Sequence, residues 1–184
     1  MTMMQPQTPE DIIAILQDVE RRSRQKAAGL TQQESLGQSW TAIGFRLAGQ
    51  HFVIPLNDSR EVFPVPDHIT AVPKAKAWVY GIVNLRGELL PVLDLKHYLL
   101  DKPSRLSKRS RIIVINDADI NSGLLVDEVY GLKHFQREPD SLDTQAHKEI
   151  TPYLTGSVYQ QDIQWDVFSF SKLIEDERFI NAAA

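Results

Sequence analysis

From Trp40 onward the apolar positions recur every second residue: Ile43, Phe45 and Leu47 share one face, Ala48-Gly49-Gln50 interrupts, and Phe52, Ile54 and Leu56 resume the pattern on the return. A period of two on either side of a glycine-bearing break predicts a β-hairpin. Residues 61–65 supply a third short strand, and Pro64 and Pro66 mark it as an edge or an exit, because proline cannot donate to a ladder. Residues 73–80, carrying Ala75, Ala77 and Trp78, read as one short helix. Branched apolar runs at 81–85 and 88–95 flank Arg86-Gly87, where glycine supplies the positive φ of a tight turn, so a second hairpin is expected. Residues 111–115 and 123–129 repeat the arrangement around a polar tip at 116–122, and later strands are expected at 154–159 and 164–168.

Helical spacing is strongest at the two ends. Thr8-Pro9-Glu10-Asp11 offers a threonine N-cap, proline at the first helical position and acids at the positive end of the dipole. Ile12, Ile15, Leu16 and Val19 then form one apolar stripe, Arg21, Arg22, Arg24 and Lys26 crowd the last turns, and Gly29 stops the helix. Residues 31–39, rich in Gln and Ser, read as a linker. A closing helix starts near Ser169 with Phe170, Leu173 and Ile174 as its apolar side. The expected organisation is a helical extension and linker over 1–36, a main domain over 37–176 and a tail over 177–184. Many short strands with regular turn signals make the fold mainly β. Two packed antiparallel barrels hold this many strands where one would not, and their seam is a natural binding groove.

Composition narrows the function. With 184 residues, 42% hydrophobic and a net charge of −4 from 20 basic and 24 acidic side chains, the chain has the make-up of one soluble globular unit. The basic cluster of Lys102, Arg105, Lys108, Arg109 and Arg111 reads as a solvated connecting loop, so nucleic acid is not an expected partner. The chain contains no cysteine, which removes disulfides, thiolate zinc sites and cysteine nucleophiles together. No apolar stretch approaches the ~20 residues that cross a bilayer and no secretory signal opens the chain, so a cytoplasmic protein without direct membrane insertion is expected.

Catalytic patterns are missing from the sequence. The histidines at 51, 68, 97, 134 and 147 are scattered, and no phosphate-binding glycine loop, dinucleotide fingerprint or nucleophile elbow occurs. Asp117, Asp119, Asn121, Gly123 and Glu128 imitate a calcium loop. Ser122 stands where that loop needs glycine, however, Leu125 lacks a ligating oxygen, and the flanking residues read as strands. Asp94 ends an apolar strand as a phospho-accepting aspartate does, but the alternating strands and helices of a receiver are absent, and Asp94 reads better as the start of a turn or helix at 95–100. No cofactor, no metal and no enzymatic activity are expected.

The run Gly81-Ile82-Val83-Asn84-Leu85-Arg86-Gly87-Glu88-Leu89-Leu90-Pro91-Val92-Leu93-Asp94-Leu95 closely resembles the CheW family signature GVxNLRGxxxPVxDL. The likeness extends from Trp40 to about Glu175 through the opening hairpin, the strand at 123–129 and Leu154-Thr155-Gly156. Within that family the chain looks like the adaptors of chemosensory systems that govern type IV pilus twitching motility. That narrower likeness rests on Gln38-Ser39-Trp40, Ile43-Gly44-Phe45-Arg46, Val126-Asp127-Glu128-Val129 with His134-Phe135, and Trp165 followed by Val167-Phe168-Ser169.

The resemblance implies two SH3-like five-stranded barrels side by side, with the signalling tip of a chemoreceptor in the groove between them. It also implies the regulatory domain of a CheA-type histidine kinase at the barrel ends, array assembly with other adaptors, and a cytoplasmic place at the inner-membrane receptor array. Carried over by motif, the receptor face comprises Glu61 and Arg86 as the central pair, with Ser59, Gly81, Asn84, Gly87, Gly123, Val129 and Leu132 around them. A planar arginine on a rigid turn suits a carboxylate of the same protein or of a receptor helix. Two departures stand out: Ser59 replaces an apolar side chain, and residues 1–36 exceed what the core needs. The competing readings are an adaptor of a flagellar pathway and a metal-binding or enzymatic module on the same barrels.

Overall fold

The computed structural model describes residues 39–181; the helix and linker expected before Trp40 lie outside them. The described residues belong to one unit that starts at Gly37. The opening hairpin forms as the alternation requires, with β1 (Trp40–Leu47) against β2 (Gln50–Pro55), followed by β3 (Ser59–Pro64). The signature run makes β4 (Val79–Leu85) and β5 (Glu88–Asp94), and helix α1 (Leu95–Leu100) follows at once. Asp94 is its cap, accepting from the His97 amide at 3.0 Å. Next come β6 (Arg111–Ile115), β7 (Gly123–Val126), β8 (Glu128–Phe135), β9 (Leu154–Gln160) and β10 (Ile163–Phe168). Two short helices close the described chain, α2 (Phe170–Ile174), capped by Ser169, and α3 (Glu177–Ile180).

Two expectations are corrected. Residues 73–80 do not form a helix: Ala75 N–H reaches Val72 O at 3.4 Å and Val79 N–H reaches Lys76 O at 2.9 Å, as separate turns. The Trp78 carbonyl instead accepts from the Asp94 amide at 2.7 Å, and Lys74 sits at φ 63, outside helical backbone. Pairing with the end of β5 overrides the local propensity. The strand expected over 123–129 breaks at Asp127, and an eight-residue strand missing from the sequence reading, β8, begins at Glu128. Half of β8 is exposed and only Phe135 is buried, so it carries no buried alternation to betray it.

The strands form two five-stranded sheets, in the orders β8-β1-β2-β10-β9 and β3-β6-β7-β5-β4. Read in those orders, both sheets pair antiparallel, antiparallel, parallel, antiparallel. One is built from the unbroken stretch β3 to β7; the other joins the first two strands to the last three. Each closes into a barrel through one isolated bridge from the segment that follows its first edge strand. Thr70 pairs with Ile82 on β4, and Asp140 pairs with Ser157 on β9. In each case a glycine precedes the bridging residue. A Cβ on Gly81 would stand 2.6 Å from Thr70 O, and one on Gly156 would stand 2.6 Å from Asp140 O.

The repeat is exact in register. Gly81 faces Val92 as Gly156 faces Val167. The turns Arg86-Gly87 and Gln161-Asp162 hold all four residues at positive φ (55, 94, 53 and 61), the geometry that matches the twist of hairpin strands. Following the pairings outward, Ser59, Glu61 and Val62 of β3 correspond to Val129, Gly131 and Leu132 of β8.

The core repeats in the same way. One apolar cluster is confined to each barrel, around Leu90 and Ile112 in the continuous barrel and around Trp165 and Ala42 in the discontinuous one. The third and largest joins them through register mates: Ile43 with Ile113, Ile54 with Leu124, and Leu93 with Phe168. Equivalent residues meeting across one interface is the mark of an approximate two-fold relation. Burial of each such side chain contributes ~1.5 to 3 kcal/mol, so the barrels hold together through shared apolar surface.

Candidate functional site

The β4–β5 turn presents Arg86 with its side chain 82% exposed, at φ 55. Asn84 stiffens the turn, its Oδ1 accepting from the Gly87 amide at 2.8 Å. Across the barrel mouth, the bulge between Ser59 and Glu61 lets two consecutive side chains of β3 reach the hairpin. Arg86 Nη2 lies 3.2 Å from Glu61 Oε2, and Arg60 Nη2 lies 3.3 Å from Glu88 Oε2. Exposed pairs of this kind contribute ~0 to 1 kcal/mol to stability, so their value lies in holding charge in place.

Val62, the residue after Glu61 in β3, belongs to an open groove of about 350 Å³ between the barrels, lined also by Ile43, Arg111, Val129, Gly131 and Leu132. Its walls are β3 of one barrel and β8 of the other. Leu132 is 55% exposed, an apolar side chain offered to solvent at a concave surface. Arg111 is turned onto backbone, donating to Lys108 O at 2.9 Å and Ser110 O at 2.8 Å. Glu128, at the start of β8, takes Arg46 at 3.1 Å and Arg109 at 3.5 Å. The loop carrying the basic cluster is pinned at its other end by Asp94, which is 2% exposed and accepts from both Ser104 N–H and Ser104 Oγ at 2.7 Å. Lys102, Arg105, Lys108 and Arg109 are exposed, as the reading of a solvated loop requires.

Of the residues expected at the receptor face, the structure gathers Glu61, Asn84, Arg86 and Gly87 at the turn, and Val129 and Leu132 in the groove. Ser59 is half-buried at the register mate of Val129. Gly81 belongs to the barrel closure, and Gly123 lies inside the barrel, where a Cβ would meet Ile112 Cγ2 at 2.5 Å. These two glycines do not line the groove. Val62, Ile43, Arg111 and Gly131 do line it and were missed. Val62 and Ile43 follow the alternation of their strands, but only the pairing of the barrels shows which faces remain open.

A second apolar recess of about 380 Å³ shares no residue with the groove. Val72, Val79, Ile82, Leu93, Phe179 and Ile180 contribute to its lining, together with the β6–β7 tip. In that tip Asp117 Oδ1 accepts from the amides of Asp119 at 2.9 Å and Ile120 at 3.1 Å, so the carboxylate is occupied by its own loop. Helix α3 is held at the recess by Phe179, which is buried, and by Asp176, whose Oδ2 accepts from Tyr153 Oη at 2.5 Å. Arg178 lies over Tyr98 at 5.1 Å and Trp78 at 5.7 Å. Among the described residues no helix is long and apolar enough to cross a membrane.

Comparison with known proteins agrees with this architecture. The CheW-like domain model matches residues 41–178. The chain is 37% identical to the protein PilI of Pseudomonas aeruginosa over 182 residues, covering 98% of this chain and 99% of that protein. It is 29% identical to FrzA of Myxococcus xanthus over 138 residues, covering 73% and 84%. It is 28% identical to the chemotaxis protein CheW of Helicobacter pylori over 114 residues, covering 62% and 68%. The crystal structure of the scaffolding protein TtCheW from Thermoanaerobacter tengcongensis superposes with a TM-score of 0.64 at 27% identity, over 76% of this chain and 95% of that one. With paired five-stranded sheets like the two SH3-like subdomains of CheW and a family match across the described domain, the chain belongs to the CheW family, the scaffolding adaptors of chemotaxis-type signalling.

Proposed function

We propose that this chain couples a chemoreceptor to a CheA-type histidine kinase in the system that controls type IV pilus twitching motility, and that it turns over no substrate. The groove between β3 and β8, together with the Arg86–Glu61 pair anchored on the same strand β3, is the observation that carries the reading. An apolar trough with a cation and an anion on one side suits the amphipathic helix of a receptor tip. The second recess, with Ile180 60% exposed, gives a separate apolar surface for the kinase regulatory domain, so both partners bind without competing. Near-full-length similarity to PilI supports the pilus pathway over a flagellar one. The site of action is the cytoplasmic side of a receptor array. Its output is a coupling free energy, typically ~1 to 3 kcal/mol, between receptor state and kinase activity.

The test is charge reversal in reconstituted arrays. Arg86→Glu is expected to abolish receptor control of kinase activity, and adding Glu61→Arg is expected to restore part of it by rebuilding the pair in reverse. Undiminished control in Arg86→Glu rejects the site. Deleting the gene and scoring twitching against swarming separates the two pathways.

A further inference from the structure

The loop between α1 and β6 is more ordered than a solvated connection requires. Lys102, Arg105, Lys108 and Arg109 are all exposed along it, and among the described residues only Arg109 of the four meets a carboxylate, Glu128 at 3.5 Å. The backbone between these cations is anchored. Ser104 is tied through both its amide and its hydroxyl to the buried Asp94. Ser110, 3% exposed, accepts from the Ser107 amide at 3.0 Å, while its own N–H donates to Ser107 O at 3.1 Å. The Ser107 hydroxyl in turn accepts from the Arg109 amide at 3.1 Å. Leu106 stands between the anchors, 47% exposed, with Arg105 before it and Lys108 two positions after. A segment that only had to join α1 to β6 gains nothing from holding like charges together against their repulsion, nor from a buried carboxylate that fixes its bend. We infer that this pinned loop is a docking site for a narrow acidic segment of a partner protein, whose carboxylates meet Lys102, Arg105 and Lys108 while an apolar side chain covers Leu106.

The structure favours a polypeptide carboxylate over other anions. Glu128 on Arg109 is the anion this loop already takes within the fold. Arginine offers a carboxylate two parallel donors, so a planar acidic side chain uses Arg105 better than a diffuse field does. The chain as a whole carries a net charge of −4, so an extended anionic surface would meet the repelling remainder of the molecule together with the loop. A narrow segment meets the loop alone, because charges beyond the ~8 Å screening length at physiological salt contribute little. One leucine among four cations also gives a bilayer only a weak, reversible hold. Order before binding is the other half of the design. A loop already fixed by Asp94 and Ser110 loses little freedom when a partner arrives, so contacts that are weak singly can add up. The four cations line neither the groove nor the apolar recess, so docking here leaves both open and stands apart from the receptor and kinase reading.

The test titrates the full chain with a short labelled peptide of glutamates with leucines between them, followed by fluorescence anisotropy, and in parallel with vesicles of phosphatidylglycerol in phosphatidylcholine. Binding of the acidic peptide is expected, weakening as salt rises, with no binding of the vesicles. K102E/R105E/K108E should weaken peptide binding by about tenfold or more, since attractive contacts become repulsive. L106S should weaken it roughly threefold with the salt dependence unchanged, because an apolar contact is lost and no charge is. S104A should weaken it by a similar factor, because the peptide must then order the loop itself. The charge reversals and L106S alter exposed side chains and leave every anchor in place, so they keep the test sound even where S104A loosens the fold. Peptide binding undiminished by charge reversal lies elsewhere on the molecule and overturns the inference. Charge-dependent binding with L106S or S104A at the parent affinity is attraction by charge alone and overturns it as well. Vesicle binding that the charge reversals abolish assigns the loop to a lipid surface, and no peptide binding at low salt leaves it a connection; either result overturns the inference.

Discussion

Three glycine-to-alanine variants separate the two costs of closing a barrel. At Gly49 φ is +84 and an added Cβ would have open space around it. At Gly156 the Cβ would stand 2.6 Å from Asp140 O and 3.0 Å from Pro139 Cβ. At Gly81 both problems coincide: φ is +152, and the Cβ would meet Ile69 Cγ2 at 2.5 Å and Thr70 O at 2.6 Å. Gly49→Ala therefore tests backbone strain alone, about 1 kcal/mol. Gly156→Ala tests contact alone. It must push away the Asp140 carbonyl and so weaken the bridge bonds Asp140 N–H to Ser157 O, 2.9 Å, and Ser157 N–H to Asp140 O, 3.2 Å. At ~0.5 to 1.5 kcal/mol per bond this comes to about 2 kcal/mol.

Gly81→Ala combines strain with damage to the Thr70–Ile82 bridge, whose bonds measure 2.9 and 2.8 Å. About 3 to 4 kcal/mol is expected, a large share of the ~5 to 15 kcal/mol that holds a domain folded. In melting temperature that is roughly 10 °C for a chain of this size. Urea unfolding followed by circular dichroism gives the midpoints, and a common slope for all variants licenses the comparison. If Gly81→Ala unfolds no earlier than Gly49→Ala and Gly156→Ala matches the parent, the glycines are not what permits closure.

Other expected outcomes concern the loop and the C-terminal latch. Asp94→Ala leaves three buried or half-buried donors at His97 and Ser104 without an acceptor, so it should cost ~2 to 4 kcal/mol in urea unfolding, against about 1 kcal/mol for Ser104→Ala. Equal costs would show that Asp94 does not organise the loop. Burial by itself raises the Asp176 carboxyl, but the Tyr153 hydroxyl and the amide and charge of Arg178 outweigh it and hold the pKa below the ordinary 3.8. A depressed folded pKa contributes stability above the ordinary value and loses it as pH falls through the folded one. Asp176→Asn should thus be less stable than the parent near neutrality, with the difference shrinking below about pH 4. A difference that stays constant into strong acid refutes the assignment. Burial pushes the Tyr98 and Tyr153 hydroxyls above their ordinary 10.0. Here the folded state holds the proton longer, so stability declines as pH rises beyond about 10, and Tyr98→Phe should flatten that decline in alkaline melts.

The local architecture was legible where neighbouring residues decide it. Both predicted turns, at Ala48-Gly49 and Arg86-Gly87, and the capping role of Asp94 were visible because turns, caps and alternating faces are settled within a few positions along the chain. The helix expected over 73–80 failed because Trp78 is engaged by Asp94, a partner no local pattern announces. Strand β8 was hidden because its exposed residues show no buried face, although it forms one wall of the groove.

Alternation in the sequence by itself determined that short strands with one or two buried faces would build a mainly β protein, and the signature run determined that Arg86 would stand on a tight turn. It did not determine which strands are neighbours. The parallel pairing of β2 with β10 joins the start of the domain to its end, and β3 and β8 face each other from different barrels. Only the tertiary structure decides those meetings, because they depend on which apolar faces find one another across the shared core. The groove between the barrels and the meeting of Glu61 with Arg86 exist only at that level.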